Sequence, residues 1–289
     1  MLRKIKCITV CLLMLFVVIV GGCAPGDKDA GKAGKETIKI GQVPFEHEWI
    51  PVNIIKRVAE ELGYSTEIKE GDVGIIFLGL SRGDIDIYPD VWLPTVHSSY
   101  MEQYKGQIEL VGTLYKNAPT GWAVPTYVDI NSIDELKGKS QLFGAKIIGA
   151  EPGAGMMEVS RKVIKEYGLD YTLVEGSTPA MLATVKKAIQ SKDPIVFLAW
   201  RPHTMFQDFD IKILKDPKNI WSVDDARNGV NPGLKEKAPD LYKFLSNFQI
   251  SIDEIESMMV EMGKGEKVDK LAEKWINNNR DKVNEWLGK

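Results

Sequence analysis

Apolar and polar residues alternate across residues 37–43 (TIKIGQV), the period-two pattern of a strand with one buried face. Residues 49–64 then show helical spacing, with Ile50, Ile54, Val58 and Leu62 on one face and Gly63 as a stop signal. A second strand is predicted at 65–71 (STEIKEG), a short apolar helix at 73–83 (VGIIFLGLSRG) and a third strand at 84–92 (DIDIYPDVW). This β-α-β-α-β order predicts a parallel sheet with crossover helices.

Residues 112–128 read as one or two extended segments, and 132–138 as a short helix. Ser132 and Glu135 have the spacing of a capping box there. The first pattern then recurs. A strand at 145–155 runs into the glycine-rich EPGAG, followed by a helix (MMEVSRKVIKEYGL), a strand at 171–177, a helix at 178–192 and a strand at 194–203 (PIVFLAWRPH). The C-terminal part is predicted as helices at 239–248, 251–265 and 267–287. The class is therefore α/β, as two lobes with a cleft between them. Ligands bind at the carboxyl ends of such strands.

The first residues follow another logic. Arg3, Lys4 and Lys6 precede the apolar run 7–20, which is short for a membrane span and ends at VGGC. Small residues before Cys23 resemble a bacterial lipobox, so residues 1–22 are expected to be a lipoprotein signal and Cys23 the lipidation site. Residues 23–36 are rich in Gly, Ala, Lys and Asp and read as a flexible tether. Together these predict an extracytoplasmic domain anchored by lipid to the cell membrane.

Composition narrows the chemistry. Cys7 and Cys11 fall in the signal, so the mature domain keeps no free thiol for a disulfide, a cysteine metal site or thiol catalysis. The formal charge of −3 falls to −6 once the three basic leader residues are removed. No basic stripe marks a nucleic-acid surface.

Candidate chemistry sits at the strand ends. PFEHEW follows the first strand, with Phe45, His47 and Trp49; DVWLPTVH ends the third, with Trp92 and His97; AWRPH ends its counterpart, with Trp200 and His203. Trp92 and Trp200 hold matching places in the two repeats, each with Pro two residues on. Two such rings suit a cage for a quaternary ammonium. Gly153 and Gly155 lead from strand to helix, where backbone N–H groups and the helix dipole favour an anion. Cage and anion site together fit a small zwitterion.

These motifs, with GWAVP, GAEPGAG and the late MMVEMGKGEKVDKLAEKWINNN, resemble the substrate-binding proteins of bacterial ABC importers for glycine betaine, proline betaine and choline. The resemblance runs from about Lys39 to the C-terminus. It implies a two-lobed class II periplasmic-binding-protein fold, with lobe I at 37–123 and 225–289 and lobe II at 124–224. It implies a cage on Trp92 and Trp200, carboxylate donors at the Gly155 and Met156 amides, and a carboxylate-binding His97. Where relatives carry a further cage Trp, this chain offers Phe45. His47 and Trp122 are further candidate ligand contacts. The implied partners are a betaine-type ligand, an ABC permease and its ATPase. No cofactor, no metal and no nucleic-acid partner are expected.

An enzyme is the rival class. The chain has no H-E-x-x-H pair, no serine-hydrolase elbow is expected, and the three histidines have no metal-binding spacing on a helix. The same fold binding an amino acid would place Arg201 in the cleft. Choline, carnitine or another small amine remains the alternative ligand.

Overall fold

A computed structural model describes residues 35–289; the expected signal, the tether up to residue 34 and Cys23 lie outside the described residues. In chain order the elements begin β1 (Lys35–Gln42), α1 (Glu46–Glu61), β2 (Tyr64–Glu70), α2 (Val73–Arg82), β3 (Ile87–Leu93), α3 (Ser98–Gln103) and β4 (Glu109–Ala118). Next come β5 (Thr120–Pro125), β6 (Lys146–Ile148), α4 (Gly155–Tyr167), β7 (Thr172–Val174), α5 (Thr178–Ser191), β8 (Phe197–Trp200), α6 (Met205–Asp208) and β9 (Ile211–Ile213). The chain closes with β10 (Asp224–Val230), α7 (Leu234–Lys237), α8 (Pro239–Asn247), α9 (Ile252–Gly263), α10 (Val268–Asn278) and α11 (Arg280–Leu287).

The two sheets share one plan. The first is ordered β2-β1-β3-β10-β4 and the second β7-β6-β8-β5-β9. In each, three strands from a β-α-β-α-β run lie parallel, as the repeated pattern predicts. A fourth strand then inserts antiparallel beside the third: β10 against β3, and β5 against β8. The chain leaves the first sheet at Pro119 and returns between β9 and β10. The expected lobe boundary at residue 123 falls inside β5, all of whose partners are in the second sheet. Helices α1, α8, α9, α10 and α11 pack together on the first sheet.

Three local expectations are corrected. Ser132 makes no side-chain cap, its hydroxyl bonding Asp134 and the Lys215 carbonyl instead, and residues 133–136 form a 3-10 turn. A true capping box occurs at Ser251 and Glu254, opening α9. The helix expected over 267–287 breaks at Asn279, whose side chain donates to the Trp275 carbonyl.

The shared plan matters because it sets Trp92 and Trp200 at the carboxyl ends of equivalent strands, opposite Ala226 and Thr120 respectively. Each lobe presents its tryptophan to the space between the sheets.

Candidate functional site

The wall from the first lobe starts at α1. Phe45 is its N-cap residue, and His47 and Glu48 fall in its first turn. Glu48 is fully buried and accepts from the Val43 N–H at 3.1 Å and from the Tyr88 hydroxyl at 2.9 Å. Burial, then the neighbouring Asp90, pushes its carboxyl well above the ordinary range. Asp90, in the middle of β3, accepts from the Tyr115 hydroxyl at 2.6 Å and faces His47 Nε2 at 3.2 Å. Burial raises Asp90, but the His47 charge and the hydrogen bonds from His47 and Tyr115 outweigh it and hold this carboxyl below its ordinary value. Of two adjacent buried acids, Asp90 is therefore the one that stays ionised.

The loop after β3 is closed on itself. The His97 N–H donates to the Trp92 carbonyl at 2.9 Å, and the Trp92 N–H donates back to His97 Nδ1 at 3.0 Å. Asp224, on β10, fastens the same loop by accepting from the Thr95 and Val96 amides at 2.9 and 2.8 Å. Burial lowers the His97 pKa to about 4, so the ring is neutral near pH 7. With Nδ1 as acceptor, its proton sits on Nε2.

Between the lobes lies a small cavity. Phe45, His47, Trp92, His97, Trp200 and residues 154–156 line it, with Glu48, Val73, Tyr88, Asp90 and Val96. Four rings form a continuous arc. Trp200 meets Phe45 edge-on at 5.8 Å and 69°, Phe45 stacks on His47 at 6.2 Å and 19°, and His47 meets Trp92 at 6.0 Å and 74°. The Trp200 Nε1 is buried without a partner among the described residues.

The second lobe brings the start of α4. Gly155 and Met156 are the first two helical residues, so their N–H groups have no acceptor within the helix. Glycine is required at this point by space: a Cβ on Gly155 would stand 1.9 Å from the Val96 carbonyl oxygen of the first lobe.

Of the sequence-based candidates, Phe45, His47, Trp92, His97, Gly155, Met156 and Trp200 all line one cavity. Trp122 does not. It is fully buried in the second lobe, and its indole N–H donates to the Ser160 hydroxyl at 3.0 Å. Trp49 turns away, its indole donating to the Val43 carbonyl at 3.3 Å. Arg201 is outside the cavity lining as well. Its guanidinium makes a bidentate pair with Glu256 of α9 at 2.9 and 2.6 Å, and reaches Asp253 at 3.0 Å. His203 packs edge-on against Trp200 at 4.9 Å and 86°, while its Nδ1 accepts from the Met205 N–H. Burial lowers its pKa to about 3.

Sequence reasoning missed Tyr88, Tyr115, Asp224 and Glu256, because an acid or phenol carries no local signal of its distant partner.

The geometry bears on two other chemistries. His47, Glu48 and Asp90 place one ligand atom each within 4.8 Å of one another, a spacing that would suit a cation. All four carboxylate oxygens there are already engaged by Val43, Tyr88, Tyr115 and His47. A G-x-S-x-G string does exist, at Gly79–Gly83, correcting the expectation of none. Its Ser81 lies inside helix α2 with its hydroxyl donating to the Leu78 carbonyl at 2.8 Å, not on a strand-to-helix turn.

Two α/β lobes closed over one buried aromatic cavity define a two-lobed solute-binding protein. The chain belongs to the family described as the substrate binding domain of ABC-type glycine betaine transport systems (OpuAC), which matches residues 36–278. A curated relative, the glycine betaine/carnitine transport binding protein GbuC of Listeria monocytogenes, is 39% identical over 157 residues. That match covers 53% of this chain and 52% of the relative, so it spans about half the relative's length. The glycine betaine/L-proline-binding protein ProX of Borrelia burgdorferi superposes with a TM-score of 0.83 at 34% identity, covering 86% of this chain and 96% of that one. The lactococcal OpuAC, solved closed with glycine betaine, superposes with a TM-score of 0.82 at 28% identity, covering 88% and 100%.

Proposed function

We propose that this protein captures a betaine-type zwitterion outside the cytoplasm and delivers it to an ABC permease driven by its ATPase. The observation that carries this reading is the pairing of unlike walls in one cavity. The arc of Trp200, Phe45, His47 and Trp92 offers ring faces to a cation. The Gly155 and Met156 amides and the His97 Nε2–H offer donors to an anion. Asp90, ionised behind the arc, adds a negative potential on the cationic side.

Binding needs no bond chemistry, so the protein acts without catalysis. Closure removes water from the cavity and strengthens each of these contacts in the lower dielectric. It also gives the permease a closed shape to recognise. The names of the relatives point to glycine betaine first, with carnitine and proline derivatives next. Choline is less favoured, because it lacks the carboxylate the donors require. Phe45 supplies a weaker cation–π face than Trp would. The leader pattern ending at Cys23 supports a lipid anchor.

Calorimetry with glycine betaine, choline, proline betaine and carnitine, with Trp fluorescence in parallel, tests the reading. Saturable binding of a carboxylated ligand with a Trp signal is expected; no binding of any quaternary ammonium would overturn it. Loss of radiolabelled fatty acid on Cys23→Ala tests the anchor.

A further inference from the structure

The donors for the ligand's anionic end come from different lobes, His97 from the first and the start of α4 from the second. One residue stands behind both. The Tyr100 ring, on α3, stacks on Phe77 at 4.7 Å and 9° and meets His97 edge-on at 6.2 Å and 66°. Its hydroxyl crosses to the second lobe and donates to the Gly153 carbonyl at 3.0 Å. Burial, then the Glu158 charge, raises the Tyr100 pKa above its ordinary value, so the phenol keeps the proton this bond needs. Gly153 lies two residues before Gly155, in the loop that leads into α4. The second lobe holds this loop on either side of Gly153. Glu151 accepts from the Thr178 N–H and hydroxyl, each at 2.8 Å, and the Ala154 N–H donates to the Glu151 carbonyl at 2.9 Å. Gly153 itself is exposed, and a Cβ there would meet nothing within 4 Å, so its peptide is fixed by hydrogen bonding rather than by packing. Tyr100 does not line the cavity, so it acts on a ligand only through the groups it holds.

We propose that Tyr100 is a positioning residue for the ligand's anionic end, its hydroxyl holding the Gly153 peptide so that the Gly155 and Met156 amides and His97 converge on one carboxylate. The cation cage does not depend on it, because Trp92 is held by its ladder with β10 and Trp200 by its ladder with β5. Tyr100 therefore contributes to selectivity for carboxylated over carboxylate-free ammonium compounds. This rests on reading the cavity as an ammonium–carboxylate site.

The test is calorimetry on the purified protein with glycine betaine and choline, comparing wild type with Tyr100→Phe. The substitution keeps the ring against Phe77 and His97 and removes only the hydroxyl. It is expected to lose roughly three- to tenfold in affinity for glycine betaine, the size of one hydrogen bond, and less than about twofold for choline. A merely structural role, or a role only in holding the lobes together, would weaken both ligands alike. Equal losses, or no loss for glycine betaine, therefore overturn the inference and leave the ammonium–carboxylate site standing, whereas no binding of glycine betaine by wild type overturns both. If choline binds too weakly to titrate, ¹⁵N NMR at saturating glycine betaine decides. A smaller ligand-induced shift of the Gly155 and Met156 amides in Tyr100→Phe than in wild type supports the positioning role. The same shift in both proteins overturns it.

Discussion

Gly155 of the second lobe lies against Val96 of the first so closely that a methyl group on its α-carbon would stand 1.9 Å from the Val96 carbonyl oxygen. The contact is backbone to backbone, so no rotamer change relieves an added side chain. Gly155→Ala is expected to leave each lobe folded and to hold the lobes apart. Ligand affinity should fall roughly ten- to hundredfold, the usual penalty of overpacking. Calorimetry and the ligand-induced change in small-angle scattering check it. An unchanged affinity would show that the lobes need not meet here.

The two kinds of tryptophan should separate cleanly. Trp92→Ala and Trp200→Ala remove ring faces from the cavity and should abolish measurable binding. Trp122→Phe removes the hydrogen bond to the Ser160 hydroxyl and part of a fully buried ring, and should lower stability by about 2 to 4 kcal/mol. Its affinity should stay near wild type. Binding loss in the Trp122 variant at intact fold would move that ring into the site.

His97 makes a dated prediction on the pH axis. Its folded pKa of about 4 lies below the reference value of 6.5, so the unfolded chain takes up the proton first on acidification. The stability tied to the neutral ring is complete above about pH 6.5 and is lost as pH falls toward about 4. The size is on the order of 3 kcal/mol. Urea unfolding at about pH 7 and about pH 4.5 measures it, and His97→Gln should flatten the dependence. Equal slopes in the two proteins would refute the buried neutral ring. In binding, His97→Ala should weaken glycine betaine much more than choline, which has no carboxylate to lose.

Glu256 ties the loop bearing Trp200 to the first lobe. Its buried carboxylate accepts from Arg201 twice and from the His203 N–H at 3.1 Å. Glu256→Ala strands these donors and should cost about 2 kcal/mol of stability. Affinity should fall too, because the loop positions Trp200. Differential scanning calorimetry and ligand titration report the two effects separately. A stable variant with full affinity would mean the loop holds its own shape.

Much of the architecture was legible along the chain because it is local. Alternation and helical spacing mark β1, α1, β2, α2 and β3, and the same order recurs in β6, α4, β7, α5 and β8. Once strand order is known, strand ends are known. Trp92, His97, Trp200 and Gly155 could therefore be singled out as neighbours before any distance was measured. Other elements were hidden. The β10 sequence DDARNGV has little apolar pattern, yet it lies between β3 and β4. It fits there because Gly229 leaves room for Val91, whose Cγ2 would lie 2.8 Å from a Cβ at that position.

The sequence by itself determined the repeated β-α-β-α-β units, the aromatic and glycine residues at their ends, and the leader pattern before Cys23, since periodicity and short motifs are properties of neighbouring residues. Only the tertiary structure decided which polar groups those aromatics meet. It paired Asp90 with His47 and Tyr115, gave Glu48 to Tyr88, sent Arg201 to Glu256, and withdrew Trp122 to Ser160. Those partners lie 25 to 55 residues apart in the chain. Burial makes each choice consequential, because a polar group without water must find its partner across the fold.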